Sequence, residues 1–238
     1  MWLSQGFQRL LGRFAQSRPA LPPNLEARLQ AFTERSPPAT RYPHRRSRYV
    51  TVDLETTGTD MHRDRVLSIG AVTIEHGLID LAQCFEVVIR QESASSSNNI
   101  LIHRIGGQRQ LGGVDRREAL LSFLEFLDHA PLVAYRAEFD RTVLDRSLQE
   151  DLGLHTMKRW IDLAEVLTAL FPGRENRSLD EWLSSLEIPT FGRHDALADA
   201  FATAQLLQVC LPKAEAMEIR CPQELIEMAT AQRWLGKR

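Results

Sequence analysis

Hydrophobic and polar positions follow different patterns on the two sides of residue 48. Within residues 4–16, apolar side chains recur at helical spacing, and residues 24–33 repeat that spacing more weakly. Six prolines between positions 19 and 43 interrupt or follow these segments, which is typical of a linker. The pattern therefore predicts an N-terminal extension, residues 1–48, that contains one or two helices.

From residue 49 onward the pattern predicts strands first, and then alternating helices and strands. Residues 66–77 and 78–91 are rich in β-branched and apolar side chains and meet at Gly77, which predicts a hairpin. This order favours an α/β layered domain over residues 49–211, with a mixed central sheet of about five strands flanked by helices, and a helical C-terminal tail over residues 212–238. The other predicted strands are 48–55, 131–135 and 157–163; the predicted helices are 115–129, 137–149, 163–171, 178–186, 196–211 and 222–235; and a polar loop is predicted at 92–99.

Charge is distributed unevenly along the 238 residues. Hydrophobic residues make up 43% and charged residues 25%, which excludes a mainly disordered, collagen-like or fibrous protein. The net charge is only −2, but residues 1–48 hold nine arginines against two glutamates, so they carry +7 and the remainder carries −9. The near-neutral total therefore does not argue against a nucleic-acid partner. The basic extension could hold a nucleic-acid backbone, dock a protein partner or be solvated.

Cysteine usage and hydropathy indicate the compartment. Cys84, Cys210 and Cys221 form no CxxC pair and no zinc-binding spacing, which suits a reducing environment. No apolar run reaches the roughly 18 residues that a membrane span needs. The Arg-rich start lacks the features of a signal peptide; a mitochondrial transit peptide is an alternative, but a soluble docking or surface helix is favoured. We expect a cytoplasmic protein without a membrane span.

The most informative segment is Val-Asp-Leu-Glu-Thr-Thr-Gly at the end of the first predicted strand. Because strand side chains alternate between faces, Asp53 and Glu55 point the same way. Two carboxylates so placed repel each other, and a divalent cation offsets that repulsion. The Gly58 turn that follows lets a backbone approach a ligand closely. The alternative is an edge strand with solvated acids.

Two later segments contain further acids. Asp140 falls in the first turns of the helix after the strand 131–135, and an ordinary helix N-terminal acid is the favoured interpretation of this segment taken alone. His194 and Asp199 would lie about 140° apart on one helix, so they can meet only if His194 lies on the loop before it. A surface histidine and a solvated aspartate are the alternative for this pair.

Taken together, the order D-x-E, F-D and H-x4-D resembles the DEDDh 3′–5′ exonucleases, the DnaQ-like family that includes the proofreading subunit of bacterial DNA polymerase III, RNase T and oligoribonuclease. The resemblance covers about residues 49–211. It implies a ribonuclease H-like fold and an enzyme that hydrolyses phosphodiester bonds at the 3′ end of single-stranded DNA or RNA. The implied products are nucleoside 5′-monophosphates, and the implied cofactors are two Mg²⁺ or Mn²⁺ ions.

The resemblance also implies a role for each motif residue. Asp53 would bridge both ions, and Glu55 and Asp199 would bind the ion that holds the attacking water. Asp140 would help to hold the second ion, and His194 would be the general base. The implied substrate-binding residues, which include a segment expected to lie against the terminal nucleotide, are Leu54, Thr56, Thr57, Gly58, Ile102, His103, Ile105, Arg136 and Phe139.

The chain departs from the family pattern at one point, because Tyr135 and Arg136 stand where His and Asn are expected. This puts the substrate preference in doubt, and Arg136 could supply a phosphate or base contact instead. DNA is slightly favoured over RNA. The alternatives are an enzyme that trims RNA or short oligonucleotides, and a catalytically silent nucleic-acid-binding or adaptor module. A proofreading role would require a polymerase partner.

Overall fold

The computed structural model describes residues 20–155, 159–190 and 192–236 of the chain. The helix predicted within residues 4–16 lies outside the described residues. The strands are β1 (Arg48–Thr56), β2 (Val66–Glu75), β3 (Leu78–Val88), β4 (Leu132–Ala134) and β5 (Trp160–Asp162). The helices are α1 (Pro23–Glu34), α2 (Ser97–His103), α3 (Gly107–Leu111), α4 (Arg116–Leu127), α5 (Glu138–Leu152), α6 (Leu163–Leu170), α7 (Leu179–Ser185), α8 (Ala196–Ala216) and α9 (Pro222–Leu235), with a 3₁₀ turn at His44–Arg46.

The five strands form one mixed sheet in the order β3-β2-β1-β4-β5. β1 lies at its centre, antiparallel to β2 and parallel to β4. β2 and β3 form the predicted hairpin, whose turn residues His76 and Gly77 both adopt the left-handed conformation, with φ of 55° and 77°. Such a turn matches the right-handed twist of the strands it joins. The predicted mixed sheet of about five strands is confirmed.

The two faces of β1 belong to two different apolar clusters. Val50 and Val52 pack with the leucines of α4 and α5, whereas Tyr49 packs with residues of α6 and α8. Thr51 also faces α8 and donates a hydrogen bond from Oγ1 to the Ala200 carbonyl at 2.8 Å. The alternation expected of a strand thus places one helical layer on each face of the sheet.

Both ends of the described chain are packed against the central domain. In α1, Leu25, Leu29 and Phe32 are buried in the cluster that contains the α4 leucines. In α9, Leu225 and Ala229 are buried in the other cluster, where this helix contacts α6. The extension and the tail therefore each bury apolar surface on the sheet's helical layers.

Several predicted boundaries are wrong, since helix α5 ends at Leu152 instead of residue 149 and strand β3 ends at Val88 instead of residue 91. The predicted polar loop 92–99 ends early, because Ser96 caps α2 and its hydroxyl accepts a hydrogen bond from the Asn99 amide. Helix α8 continues beyond residue 211 and through Pro212, because Leu211 and Ala214 are both buried in the same cluster.

Among the described residues, no helix is long and apolar enough to cross a membrane.

Candidate active site

The end of β1 presents two carboxylates on the face covered by α8. Asp53 and Glu55 alternate with Val52 and Leu54, which belong to the cluster on the opposite face. Glu55 is only 4% exposed, and Asp53 is partly exposed. The predicted placement of both acids on one face is therefore confirmed, and these acids are not the solvated side chains of an edge strand.

Gly70 allows α8 to come close to these acids. It pairs with Asp53 across β1 and β2, and a Cβ added to it would lie 2.1 Å from the carbonyl carbon of Ala196. Only a residue without a side chain fits there, so the first turn of α8 rests directly on the sheet. Sequence reasoning missed this residue, although a glycine inside a run of β-branched residues is a known signal of close backbone approach.

The contact at Gly70 brings a third carboxylate to the same place. Among the described residues, Asp53, Glu55 and Asp199 each offer a carboxylate oxygen, and these three atoms lie within 4.8 Å of one another. Asp199 is buried in the first turn of α8. An all-oxygen donor set of this kind suits a hard divalent cation such as Mg²⁺ or Mn²⁺.

Asp140 is buried nearby but lies outside this group of three. It belongs to α5, which packs on the opposite face of the sheet through Val143 and Leu144. It reaches the end of β1, where the backbone amide of Leu54 hydrogen-bonds to its carboxylate. Because its helix approaches from the other face, Asp140 borders the group instead of completing it.

Burial and mutual repulsion make these carboxylates hard to ionise. Burial, followed by the charges of Asp140 and Asp199, raises the pKa of Asp53 well above its usual range. The pKa of Glu55 rises to about 8, mainly through burial and then through Asp199. Burial also raises the pKa of Asp140, to about 7. A bound cation would relieve this repulsion, so the electrostatics as well as the donor atoms fit a metal centre.

Two histidines flank the carboxylates. His194 lies on the loop before α8 with a left-handed φ of 60°, and its backbone N–H donates to Asp199 Oδ2 at 3.2 Å. The His194 side chain is exposed. Its position on the loop agrees with the expectation from the spacing of residues 194 and 199. His103 lies at the end of α2, and its Nδ1 contacts Glu55 Oε2. Burial and the nearby His194 lower the pKa of His103.

The turn after β1 is held by its own hydrogen bonds. Thr56 Oγ1 donates to the Gly58 carbonyl at 2.6 Å, and Thr57 Oγ1 donates to Asp64 Oδ1 at 2.7 Å. A Cβ on Gly58 would lie 2.6 Å from Asp64 Oδ2, so a side chain here would have to displace the Asp64 carboxylate. The turn therefore has little freedom beside the carboxylates.

The other expected substrate-binding residues differ in exposure. The side chains of Leu54 and Ile105 are buried, whereas Ile102 is half exposed. Phe139 is partly buried and packs against the core cluster. The structure therefore brings His103 to the carboxylates, leaves Ile102 at the surface, and places three of these apolar side chains largely inside the protein.

The two residues that depart from the family pattern, Tyr135 and Arg136, contact the segment before α7. The Tyr135 hydroxyl donates to the Arg177 carbonyl, and Arg136 Nη2 lies 3.4 Å from the same oxygen. Arg136 is exposed and has a left-handed φ of 57°. Together they line one end of a polar cleft of about 390 Å³ between this connection and helices α6, α7 and α9.

Comparison with known proteins gives consistent matches. The family model RNase_T, described as Exonuclease, matches residues 50–207. DNA polymerase III PolC-type from Caldanaerobacter subterraneus subsp. tengcongensis is 30% identical over 177 residues, which are 74% of this chain and only 12% of that protein. DNA polymerase III subunit epsilon from Aquifex aeolicus is 26% identical over 158 residues, or 66% of this chain and 77% of that protein.

A solved structure, Exonuclease X in complex with 5′ overhanging duplex DNA, superimposes with a TM-score of 0.59 at 19% identity. The superposition includes 76% of this chain and 99% of the Exonuclease X chain. This similarity confirms the predicted ribonuclease H-like α/β fold. The family match covers most of the domain that contains the carboxylates and confirms the prediction of an exonuclease. The chain belongs to the RNase_T exonuclease family.

Proposed function

We propose that this chain is a metal-dependent 3′–5′ exonuclease that removes nucleoside 5′-monophosphates from the 3′ end of single-stranded nucleic acid. The observation that carries the proposal is the convergence of Asp53, Glu55 and Asp199 within 4.8 Å, on two elements held together at Gly70. Burying three acids this closely is costly unless a cation binds them. The proposed catalytic domain spans residues 49–211, with the extension 1–48 and the tail 212–238 as additions.

In the proposed site, two Mg²⁺ or Mn²⁺ ions would activate a water molecule and stabilise the leaving 3′-oxygen. Asp53 is proposed to bridge both ions, Glu55 and Asp199 to hold one of them, and Asp140 to help hold the other. The position of Asp140 at the edge of the group is consistent with this division. His194, exposed beside Asp199, is proposed to take the proton from the attacking water, a task to which an imidazole side chain is suited.

DNA is the proposed substrate, in preference to RNA. Both relatives described above belong to DNA polymerase III, and the superimposed neighbour was solved with DNA. Ile102 and His103 are proposed to lie against the terminal nucleotide, and exposed Arg136 to contact phosphate or base. A protein partner is proposed to dock on the N-terminal extension. Arg28 of the extension is already paired with the domain, and Arg41, Arg45 and Arg46 add further positive charge for a partner to recognise.

A single degradation experiment tests the activity. Single-stranded DNA and RNA of the same sequence, labelled at the 5′ end, are incubated with the full chain and Mg²⁺ or Mn²⁺. We expect a ladder that shortens from the 3′ end, faster on DNA, and that EDTA and Asp53→Asn both abolish. Glu227→Gln, which neutralises an exposed acid on α9, is the matched control and should leave the ladder unchanged. Failure to cleave either substrate with either metal would exclude the proposed activity.

The role of His194 needs a separate comparison. His194→Asn should reduce the rate by about 100-fold or more, a typical loss on removal of a general base, while Mn²⁺ binding stays intact. His76→Asn is the matched control, since His76 also has a left-handed φ, of 55°, but lies in the β2–β3 hairpin. Asparagine tolerates that conformation, so both variants should fold. A loss of Mn²⁺ affinity in His194→Asn would instead assign His194 to the metal site.

A further inference from the structure

The proposed metal site contains an arginine that no part of the proposed mechanism uses. Arg193 Nη1 contacts Asp199 Oδ1, while the neighbouring residue His194 donates its backbone N–H to Asp199 Oδ2. Both oxygens of this carboxylate are therefore engaged by adjacent residues of one loop. A divalent cation that binds Asp199 must share or displace the guanidinium contact.

The same guanidinium holds a second carboxylate. Arg193 Nε lies 2.6 Å from Asp180 Oδ1 on α7. The Asp180 side chain is 62% exposed, whereas that of Asp199 is 8% exposed, so the arginine joins a surface acid to a buried one. The planar guanidinium presents several N–H donors in a fixed fork, which suits arginine to contact two carboxylates at once.

Asp180 is a well-fixed acceptor. It lies in the first turn of α7, where Ser178 and Glu181 form a reciprocal capping box with the backbone at the start of the helix. Trp182 and Leu183 of the same helix are buried in the core cluster. Because Arg193 already contacts Asp180, it can leave Asp199 and still keep one acid partner.

We infer that Arg193 is an internal cation that competes with the divalent ion for Asp199, and that Asp180 is the partner that retains it when the ion binds. Arg193 is thus a positioning residue. It pairs with Asp199 beside His194, and it sets the metal concentration at which the site becomes loaded. This inference rests on the proposed metal-dependent function.

Mn²⁺ titration of the full chain by calorimetry, without substrate, tests the inference through effects of opposite sign. Arg193→Gln should bind Mn²⁺ about 5-fold more tightly, because a competing cation is removed. Asp180→Asn should bind Mn²⁺ about 3-fold more weakly. Of the two acids that contact Arg193, only Asp199 then remains, so the arginine competes more strongly with the metal. A residue with a merely structural role would weaken Mn²⁺ binding in both variants.

The double variant gives the decisive comparison. If Asp180 acts only through Arg193, Asp180→Asn should have no further effect in the Arg193→Gln background. Arg177→Gln is the matched control, since it removes a guanidinium that lies 5.4 Å from the Trp182 ring on the same helix. Equal Mn²⁺ affinity in the wild type and Arg193→Gln, or weaker binding by Asp180→Asn in both backgrounds, would overturn the inference.

Folding and the underlying metal site are checked in the same samples. Circular dichroism establishes whether each variant is folded. Arg193→Lys, which retains the competing positive charge, should bind Mn²⁺ more weakly than Arg193→Gln does. If the wild type binds no Mn²⁺, or binds it equally after Asp53→Asn, then the proposed function itself fails. If the wild type binds through Asp53 and Arg193→Gln matches it, only the role of Arg193 fails.

Discussion

Two groups of arginine and carboxylates in this molecule have similar composition and opposite electrostatics. Between α1 and α4, Arg28 contacts Glu118 and binds both oxygens of Glu125, with Nε–Oε1 at 3.0 Å and Nη2–Oε2 at 2.7 Å. The hydrogen bond from Arg28 lowers the pKa of Glu125 below its usual value. This group is partly exposed, so its charged form is stable without an additional ligand.

In the candidate active site the arginine does not offset the acids. Arg193 lowers the pKa values of Asp53, Glu55 and Asp199, but all three are raised: burial outweighs Arg193 at Asp199, and burial together with neighbouring carboxylates outweighs it at Asp53 and Glu55. The Arg28 group is therefore an ion pair that joins two helices, whereas the Arg193 group needs additional positive charge to stabilise its ionised acids. Both places combine one arginine with carboxylates, so burial and the number of converging acids make the difference.

Neutralising one acid in each group should have opposite consequences. Asp53→Asn should lower the exonuclease rate by on the order of a thousandfold or more, because a proposed ligand to both ions is lost. The same change should raise the melting temperature of the metal-free chain, because it removes a repelled, desolvated charge. Glu125→Gln should lower the melting temperature and leave the rate unchanged. Thermal unfolding with EDTA and rates with Mn²⁺ measure both; a destabilised Asp53→Asn would remove the contrast.

The approach of α8 to the sheet should be as important as the acids themselves. Gly70→Ala places a methyl group about where the Ala196 backbone now lies, so α8 must shift and take Asp199 with it. We expect a loss of about 1–3 kcal/mol in the free energy of unfolding, as in other overpacked sites, together with a severe loss of activity. Urea unfolding and the labelled-DNA assay measure the two effects.

Gly106→Ala provides the control for this substitution. Nothing lies within 4 Å of a Cβ added at Gly106, and its φ is not in the left-handed region. We expect its stability and rate to stay near those of the wild type. If Gly70→Ala were equally harmless, α8 would not depend on the close contact, and the positioning of Asp199 would need another explanation.

The parts of this site that were predicted from the sequence follow from local geometry. Strand alternation places Asp53 and Glu55 on one face, and the helical angle between residues 194 and 199 requires His194 to lie on a loop. Both statements need only the spacing of neighbouring residues along the chain. The positions of the central strand and of the hairpin at Gly77 follow in the same way from β-branched runs and turn residues.

The parts that were not predicted depend on packing between distant segments. Gly70 matters because residue 196 lies against it, and Asp140 stands apart because α5 packs on the other face of the sheet. The residues next to Arg28 and Arg193 in the sequence do not indicate how many carboxylates each guanidinium meets. Only the folded chain shows that one is matched by two partly exposed glutamates and the other faces a buried excess of acid.

The pH dependence of metal binding should distinguish the two groups further. The raised pKa of Glu55, about 8 instead of the usual 4.5, means that the folded protein holds a proton that the unfolded chain has lost. Between these values the metal-free protein therefore loses stability as pH rises, while metal ligands become easier to deprotonate. The stabilisation by Mn²⁺ should grow by roughly 1.4 kcal/mol per pH unit for each proton displaced.

The measurement compares the Mn²⁺-induced rise in melting temperature at about pH 6 and about pH 8, within the window set by the raised pKa of Glu55. We expect a larger rise at the higher pH, and the increase should disappear in Asp53→Asn. Glu125 contributes nothing in this window, because its pKa is shifted downward and it is ionised throughout. A rise that is independent of pH would show that the carboxylates are already ionised before the metal binds.

The smallest expected effect concerns the ion pair between the two helices. Arg28→Gln should lower the free energy of unfolding by about 1 kcal/mol, since the lost contacts are charge-assisted but partly exposed to solvent. Arg35→Gln is the matched control, because Arg35 pairs with Asp128 at 3.0 Å with both side chains more than half exposed, and it should change stability by less than about 0.5 kcal/mol. Neither variant should change the exonuclease rate or the Mn²⁺ affinity. A drop in activity on replacing Arg28 would mean that α1 supports the active site through α4, and the two arginine–carboxylate groups would no longer be functionally separate.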